Sequence, residues 1–236
     1  MGAAIRNRAA RALAFPLEDR DWLPKIAIGG AVGLALEALF VGFSYLFTRE
    51  LAFEVSPLAQ AANFPSLGFV LLVFQGALTA PQADAMPEWR RWPGLCLQGL
   101  VLFVLGLGYG IVPLLLIIVG FGLLVRWEVA LVLGLVMMLL GMFAGLMLGF
   151  FLPMAVARYL VEGRVEAAFN PVAVWSRITK ALAEYMAAYL LTIGSFIVAG
   201  LVGSIPYLGV LAWPFLTFYL LVACARLFGG VCSGAA

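Results

Sequence analysis

Glu37 is the residue in this chain whose setting most demands a chemical account, because it lies well inside an apolar run, GGAVGLALEALFVG. Counted from Pro24 it stands about 13 residues, or about 20 Å, along a helix that rises 1.5 Å per residue. A charge at that depth costs at least about 2.5–3.5 kcal/mol on insertion scales, so the carboxyl must be protonated, hydrated or paired. By the same measure Tyr109, Ser195 and Thr217 reach a similar depth from their own span ends, and the four make a candidate midplane polar site for a proton or small solute. The simpler account of Glu37, which the sequence favours, is a protonated side chain hydrogen-bonded to a neighbouring helix. Glu162 with Glu166, and Asp84 with Glu88, have the spacing of acid/base pairs. Each is more simply a solvated loop face balanced by nearby arginine.

Other chemistries find little support. The chain has no histidine, the commonest general base and metal ligand near neutral pH. Cys96, Cys224 and Cys232 form no CxxC pair and read as small packing residues. Leu107-Gly108-Tyr109-Gly110 matches a potassium-filter tetrad by letters only, since it sits in a continuous apolar helix whose carbonyls are used by the helix itself. No nucleophile triad, metal-ligand cluster or phosphate-binding glycine loop is legible. The sequence therefore predicts no catalytic, cofactor-binding or metal-binding residues and no cofactor, and it favours a protein that is not an enzyme.

The elements that must carry these residues follow from composition. Of 236 residues, 65% are hydrophobic and 11% charged, against about a quarter charged in an ordinary globular domain, and the mean hydropathy is +1.10. An all-α integral membrane protein is implied, with room for one bundle at roughly 20 residues per span. A net charge of +2 gives no reason to expect a nucleic-acid partner.

Residues 1–23 form a cytoplasmic interfacial lead-in, and a single transmembrane domain is predicted over 24–232 with spans near 24–47, 58–80, 95–125, 129–161, 181–202 and 207–227. The second is too short unless residues 58–63 join it with a kink at Pro65, a re-entrant segment being the alternative. The third is long, with Pro113 near its centre, and calls for a kinked, tilted helix. Gly141, Gly145 and Gly149 make a four-residue stripe suited to close helix approach. Between the fourth and fifth spans, Arg158 and Glu162 stand one helical turn apart and Gly163 supplies a C-terminal stop. Asn170-Pro171 starts a new helix. It puts Val174, Trp175, Ile178, Ala181 and Leu182 on one face and Ser176, Arg177 and Lys180 on the other.

With six spans and both termini cytoplasmic, Arg49 and Arg126 alone of the 14 basic residues fall outside, as the positive-inside rule requires of a cell-membrane protein. Arg90, Arg91, Trp92, Arg158, Trp175, Arg177 and Lys180 then make a candidate surface for a partner protein or anionic lipid headgroups. Each odd-numbered span follows a tryptophan-bearing stretch, LEDRDW, PEWRRW and NPVAVW, which suggests three helical hairpins each introduced by an interfacial anchor.

The stretches PLEDRDWLPKIAIGG (Pro16–Gly30), MPEWRRWPGL (Met86–Leu95) and ARYLVEGRVEAAF (Ala157–Phe169) resemble a family of bacterial and archaeal membrane proteins, domain of unknown function 4013. The resemblance implies a polytopic bundle and brings no activity, substrate or site residue. Three functions are ranked on the residues: a non-catalytic scaffold or accessory subunit binding a partner protein or anionic lipid, then a small-solute or proton-coupled carrier using Glu37, then a lipid-headgroup enzyme.

Overall fold

The computed structural model describes residues 2–48, 62–80, 85–126, 130–205 and 208–234, and among them every regular element is helical. In chain order these are α1 (Gly2–Glu18), α2 (Trp22–Thr48), α3 (Phe64–Thr79), α4 (Trp92–Arg126), α5 (Leu131–Glu162), α6 (Val165–Ala168), α7 (Pro171–Ile178), a 3-10 turn (Thr179–Ala181), α8 (Leu182–Gly203) and α9 (Leu208–Ser233). Five helical stretches are long and apolar enough to cross a bilayer: Trp22–Phe43, Trp92–Val125, Leu131–Glu162, Pro171–Gly203 and Leu211–Ser233. The third predicted span is one helix, α4, which continues through Pro113.

Two compact units are present, residues 1–103 with 177–236, and residues 104–176. In the first, α9 is the central helix: 67% of its apolar window is buried, against 28% for α2. Gly29 and Gly30 of α2 face Phe218 and Phe215, and Gly33 faces Pro214, so α2 and α9 run antiparallel. Phe69 packs on Phe218, and Gly229 lies against Phe74 and Ala77, so α3 runs parallel to α9. Gly68 of α3 meets the backbone of Leu95, and Gly99 of α4 meets that of Phe64. These two glycines let α3 and α4 touch main chain to main chain, since a Cβ at either would strike backbone that cannot move aside.

The start of α3 departs from the predicted kink. Its helix begins at Phe64, Asn63 caps it by accepting the Ser66 N–H at 3.4 Å, and Pro65 falls in the first turn. A proline there lacks an N–H the helix does not use, so it need not bend the chain. Residues 58–61 lie outside the described residues. At 16 residues α3 spans about 24 Å, less than a hydrocarbon core of about 30 Å.

In the second unit, the later part of α4 and α5 form an antiparallel hairpin. Gly120 and Gly134 approach backbone to backbone, and Gly141 lies so close that a Cβ there would stand 2.9 Å from the Pro113 carbonyl oxygen. The predicted stripe is thus uneven: a Cβ at Gly145 would meet Pro113 at an ordinary 3.6 Å. Most of the large side chains on this hairpin are exposed, Val112, Ile118, Phe121, Leu133 and Phe143 among them, and lipid is their natural solvent. Gly163 ends α5 in the left-handed region at φ 68°, its N–H donating to Tyr159 O at 2.8 Å. Asn170 Oδ1 then accepts the Ala173 N–H at 3.1 Å to open α7, as its sequence signal required.

Candidate functional site

The residues of the predicted midplane site have separate surroundings. Glu37 is 3% exposed and stands one turn beyond Gly33 on the same face of α2. Gly33 itself meets Pro214 and the Asn63 side chain, so Glu37 lies near the start of α3. Thr217 is buried, and its hydroxyl donates to Trp213 O at 2.7 Å within its own helix. In the α2–α9 register it stands at the level of Gly29 and Gly33, short of Glu37. Ser195 is half-buried on α8, one turn past Thr192, whose hydroxyl donates to Ala188 O at 2.9 Å and reaches Cys224 Sγ at 3.4 Å. Tyr109 belongs to the second unit, where its hydroxyl donates to Ala168 O at 2.6 Å and its ring stacks on Phe169 at 5.7 Å. That contact holds α6 against α4.

The predicted surface residues divide in a similar way. Arg90 is exposed and paired with Glu88, Arg91 is exposed, and Trp92 is 42% exposed beside Trp89. Trp175 is 47% exposed and its ring lies tilted against that of Phe151 at 6.0 Å, while Arg177 is half-buried and Lys180 exposed. Arg158 faces inward: it is 7% exposed, donates through Nε and Nη2 to Glu162 at 3.0 and 2.7 Å, and reaches Asn170 O at 3.5 Å. One helical turn brings its guanidinium onto the Glu162 carboxylate, and together they clasp the chain between α5 and α7.

The first two tryptophan-bearing stretches, LEDRDW and PEWRRW, are stitched to one another. Asp19, 6% exposed, accepts from Met86 N at 2.7 Å, Lys25 Nζ at 2.8 Å and Asp21 N at 2.8 Å. Lys25 Nζ also donates to Met86 O at 3.0 Å, and Trp89 Nε1 donates to Lys25 O at 2.9 Å while its ring stacks on Phe69. Burial pushes the Asp19 carboxyl up, but the Lys25 hydrogen bond, the two backbone N–H donors and the Lys25 charge together outweigh it and hold the group below the usual carboxylate value of 3.8.

At the same end of this unit a pocket of about 1080 Å³ opens between α1, the start of α8 and the end of α9. Arg8, Arg11, Lys180 and Arg226 line it with Glu18 and Glu184. Arg8 pairs with Glu184, and the Arg226 guanidinium lies 4.7 Å over the ring of Phe15. A hydrogen bond from the Tyr219 hydroxyl to Leu13 O at 2.5 Å ties α1 to α9 beside it. A second cavity of about 370 Å³ shares Phe15 and Arg226 and runs along α3 past Leu72, Val73 and Gly76. Of the pocket's cations, sequence reasoning singled out Lys180 alone. Arg8 and Arg11, one turn apart on α1, were the signal that could have found the rest.

Apolar helices of membrane length, packed through glycines, define a multi-pass helical membrane protein. Within that class the chain belongs to the family described as protein of unknown function (DUF4013), whose model matches residues 56–208. No curated protein and no solved structure matches the chain. Lys180 and Glu184 of the basic pocket fall inside the matched region, and Arg8, Arg11 and Arg226 outside it.

Proposed function

We propose that this protein is a non-catalytic membrane scaffold or accessory subunit of the cell membrane, crossing it six times with both termini cytoplasmic, whose basic surface holds anionic lipid on the cytoplasmic leaflet. One observation carries the reading. The packing directions bring the starts of α2, α4 and α8 and the ends of α3 and α9 to one end of the first unit. Among its described residues, every basic side chain, from Arg8, Arg11, Arg20 and Lys25 to Arg90, Arg91, Arg177, Lys180 and Arg226, stands at that end. Juxtamembrane Lys and Arg each contribute about 1 kcal/mol of attraction to an anionic leaflet. The test is reconstitution into phosphatidylcholine vesicles with and without phosphatidylglycerol, followed by thermal unfolding. The midpoint should rise with the anionic fraction and the gain should fade with added salt; equal midpoints in both vesicles would end the proposal.

A carrier remains the second reading, favoured by the burial of Glu37 one turn from the contact between Gly33 and Asn63.

A further inference from the structure

We propose that the pocket between α1, α8 and α9 is a specific site for a phospholipid bearing a phosphomonoester headgroup, the phosphate held by Arg11 and Lys180 and the glycerol and first acyl carbons lodged in the adjoining cavity along α3. The proposal deepens the anionic-lipid reading above and rests on it. Four cations face two carboxylates in this pocket, a surplus of two positive charges. Arg8 is neutralised by Glu184, and Arg226 sits over Phe15 on the wall shared by the two cavities. Among the described residues Arg11 and Lys180 have no ion-pair partner. A phosphomonoester carries about −1.5 to −2 charges at neutral pH and offers three acceptor oxygens, which suits that surplus better than the single charge of a phosphodiester.

Position within the pocket follows from the helix ends. Lys180 to Glu184, at the 3-10 turn and the start of α8, line one side of the pocket, while the last turn of α9 at Gly230 to Ser233 lines the other and presents carbonyls with no partner inside the helix. The phosphate is therefore drawn to the α8 side, where Lys180 stands, and kept off the α9 side. The volume is ample, since pockets for whole small molecules run to about 300–1,000 Å³. The second cavity favours a lipid over a free phosphate: it opens from the same Phe15 and Arg226 and continues past Leu72, Val73 and Ala77, apolar side chains that suit acyl carbons, with Gln75 and Thr79 the polar groups along its wall.

The experiment is native mass spectrometry and thermal unfolding of the full chain in a neutral detergent, titrated separately with dioleoyl phosphatidic acid, dioleoyl phosphatidylglycerol and glycerol 3-phosphate. Phosphatidic acid should bind at least about tenfold more tightly than phosphatidylglycerol, and glycerol 3-phosphate far more weakly. Each of Arg11→Gln and Lys180→Gln should weaken phosphatidic acid roughly tenfold, as expected for loss of one charge-assisted hydrogen bond, while Arg90→Gln at the same end should not. Glu18→Gln, which raises the surplus charge, should tighten binding, a gain that misfolding cannot produce. Equal affinity for the two lipids, unchanged affinity in Arg11→Gln and Lys180→Gln, or glycerol 3-phosphate as strong as the lipid would each overturn the site while leaving the general attraction to anionic membranes in place. Failure of every anionic lipid to stabilise the protein would remove both.

Discussion

Replacing Asp19 tests whether the link between the first two interfacial motifs is a structural clasp. Asp19→Ala removes the acceptor of three hydrogen bonds, those from Met86 N, Lys25 Nζ and Asp21 N. Met86 is 3% exposed, so its orphaned N–H costs about 1–3 kcal/mol. The Lys25 ammonium keeps its bond to Met86 O but loses its countercharge, and breaking one side of a buried pair costs about 3–5 kcal/mol. The Lys25 side chain is 13% exposed and gains some water, so the lower ends apply and the total should be about 4 kcal/mol. Asp19→Asn keeps an acceptor and loses the charge, and should fall between. Glu88→Gln supplies the contrast: its pair with Arg90 is exposed on both sides, and such pairs are worth about 0–1 kcal/mol. The assay is reversible unfolding in mixed micelles by titration with a denaturing detergent, followed through tryptophan fluorescence, to which Trp89 at the clasp contributes. The pH dependence carries a sign. Because the folded carboxyl is held below its ordinary value, its stabilisation is complete above about pH 4 and is lost as pH falls through the lower folded value. The gap between parent and Asp19→Asn should be constant from pH 5 to 8 and shrink in acid below about pH 4. An Asp19→Ala protein within about 0.5 kcal/mol of the parent, or a gap unchanged at pH 3, would refute the reasoning.

In the α4–α5 hairpin, Gly141→Ala should lower stability by about 1–3 kcal/mol because the new methyl meets the Pro113 carbonyl, whereas Gly145→Ala should be neutral or gain up to about 1 kcal/mol of helix propensity; equal effects at the two sites would contradict the packing. Glu37→Gln preserves shape with both donor and acceptor, and under the scaffold reading it should leave insertion, stability and any growth phenotype unchanged. A Glu37→Gln protein that inserts normally yet loses its phenotype would instead favour the carrier. On a background without native cysteines, single cysteines at Ser176 and Gly234 should resist a membrane-impermeant thiol reagent in intact cells while one at Glu54 labels; labelling at Ser176 would reverse the proposed orientation.

Much that depends on neighbours along the chain was legible beforehand. Composition and the length of the apolar runs pointed to a helical membrane protein, because unbroken apolar stretches of about 20 residues suit helices that satisfy their own backbone and lack the alternation of barrel strands. Gly163 and Asn170-Pro171 marked helix ends correctly, and Arg158 found Glu162, because capping and one-turn pairing are decided within a few residues. Tertiary structure decided what sits across from each face. Periodicity places Gly141 and Gly145 on one stripe, yet only the register against α4 brings Gly141 alone to the Pro113 carbonyl. Asp19 and Met86 lie in or beside the first two tryptophan-bearing stretches, LEDRDW and PEWRRW, yet Asp19 serves as acceptor for Met86, and no local rule announces a hydrogen bond between separate interfacial segments. The basic pocket is the extreme case: Arg11, Lys180 and Arg226 come from far-separated parts of the chain and meet because α1 and α8 both lie against α9. A single sequence states that each is basic and near a helix end, while the energy that gathers them comes from apolar packing of the helices that carry them.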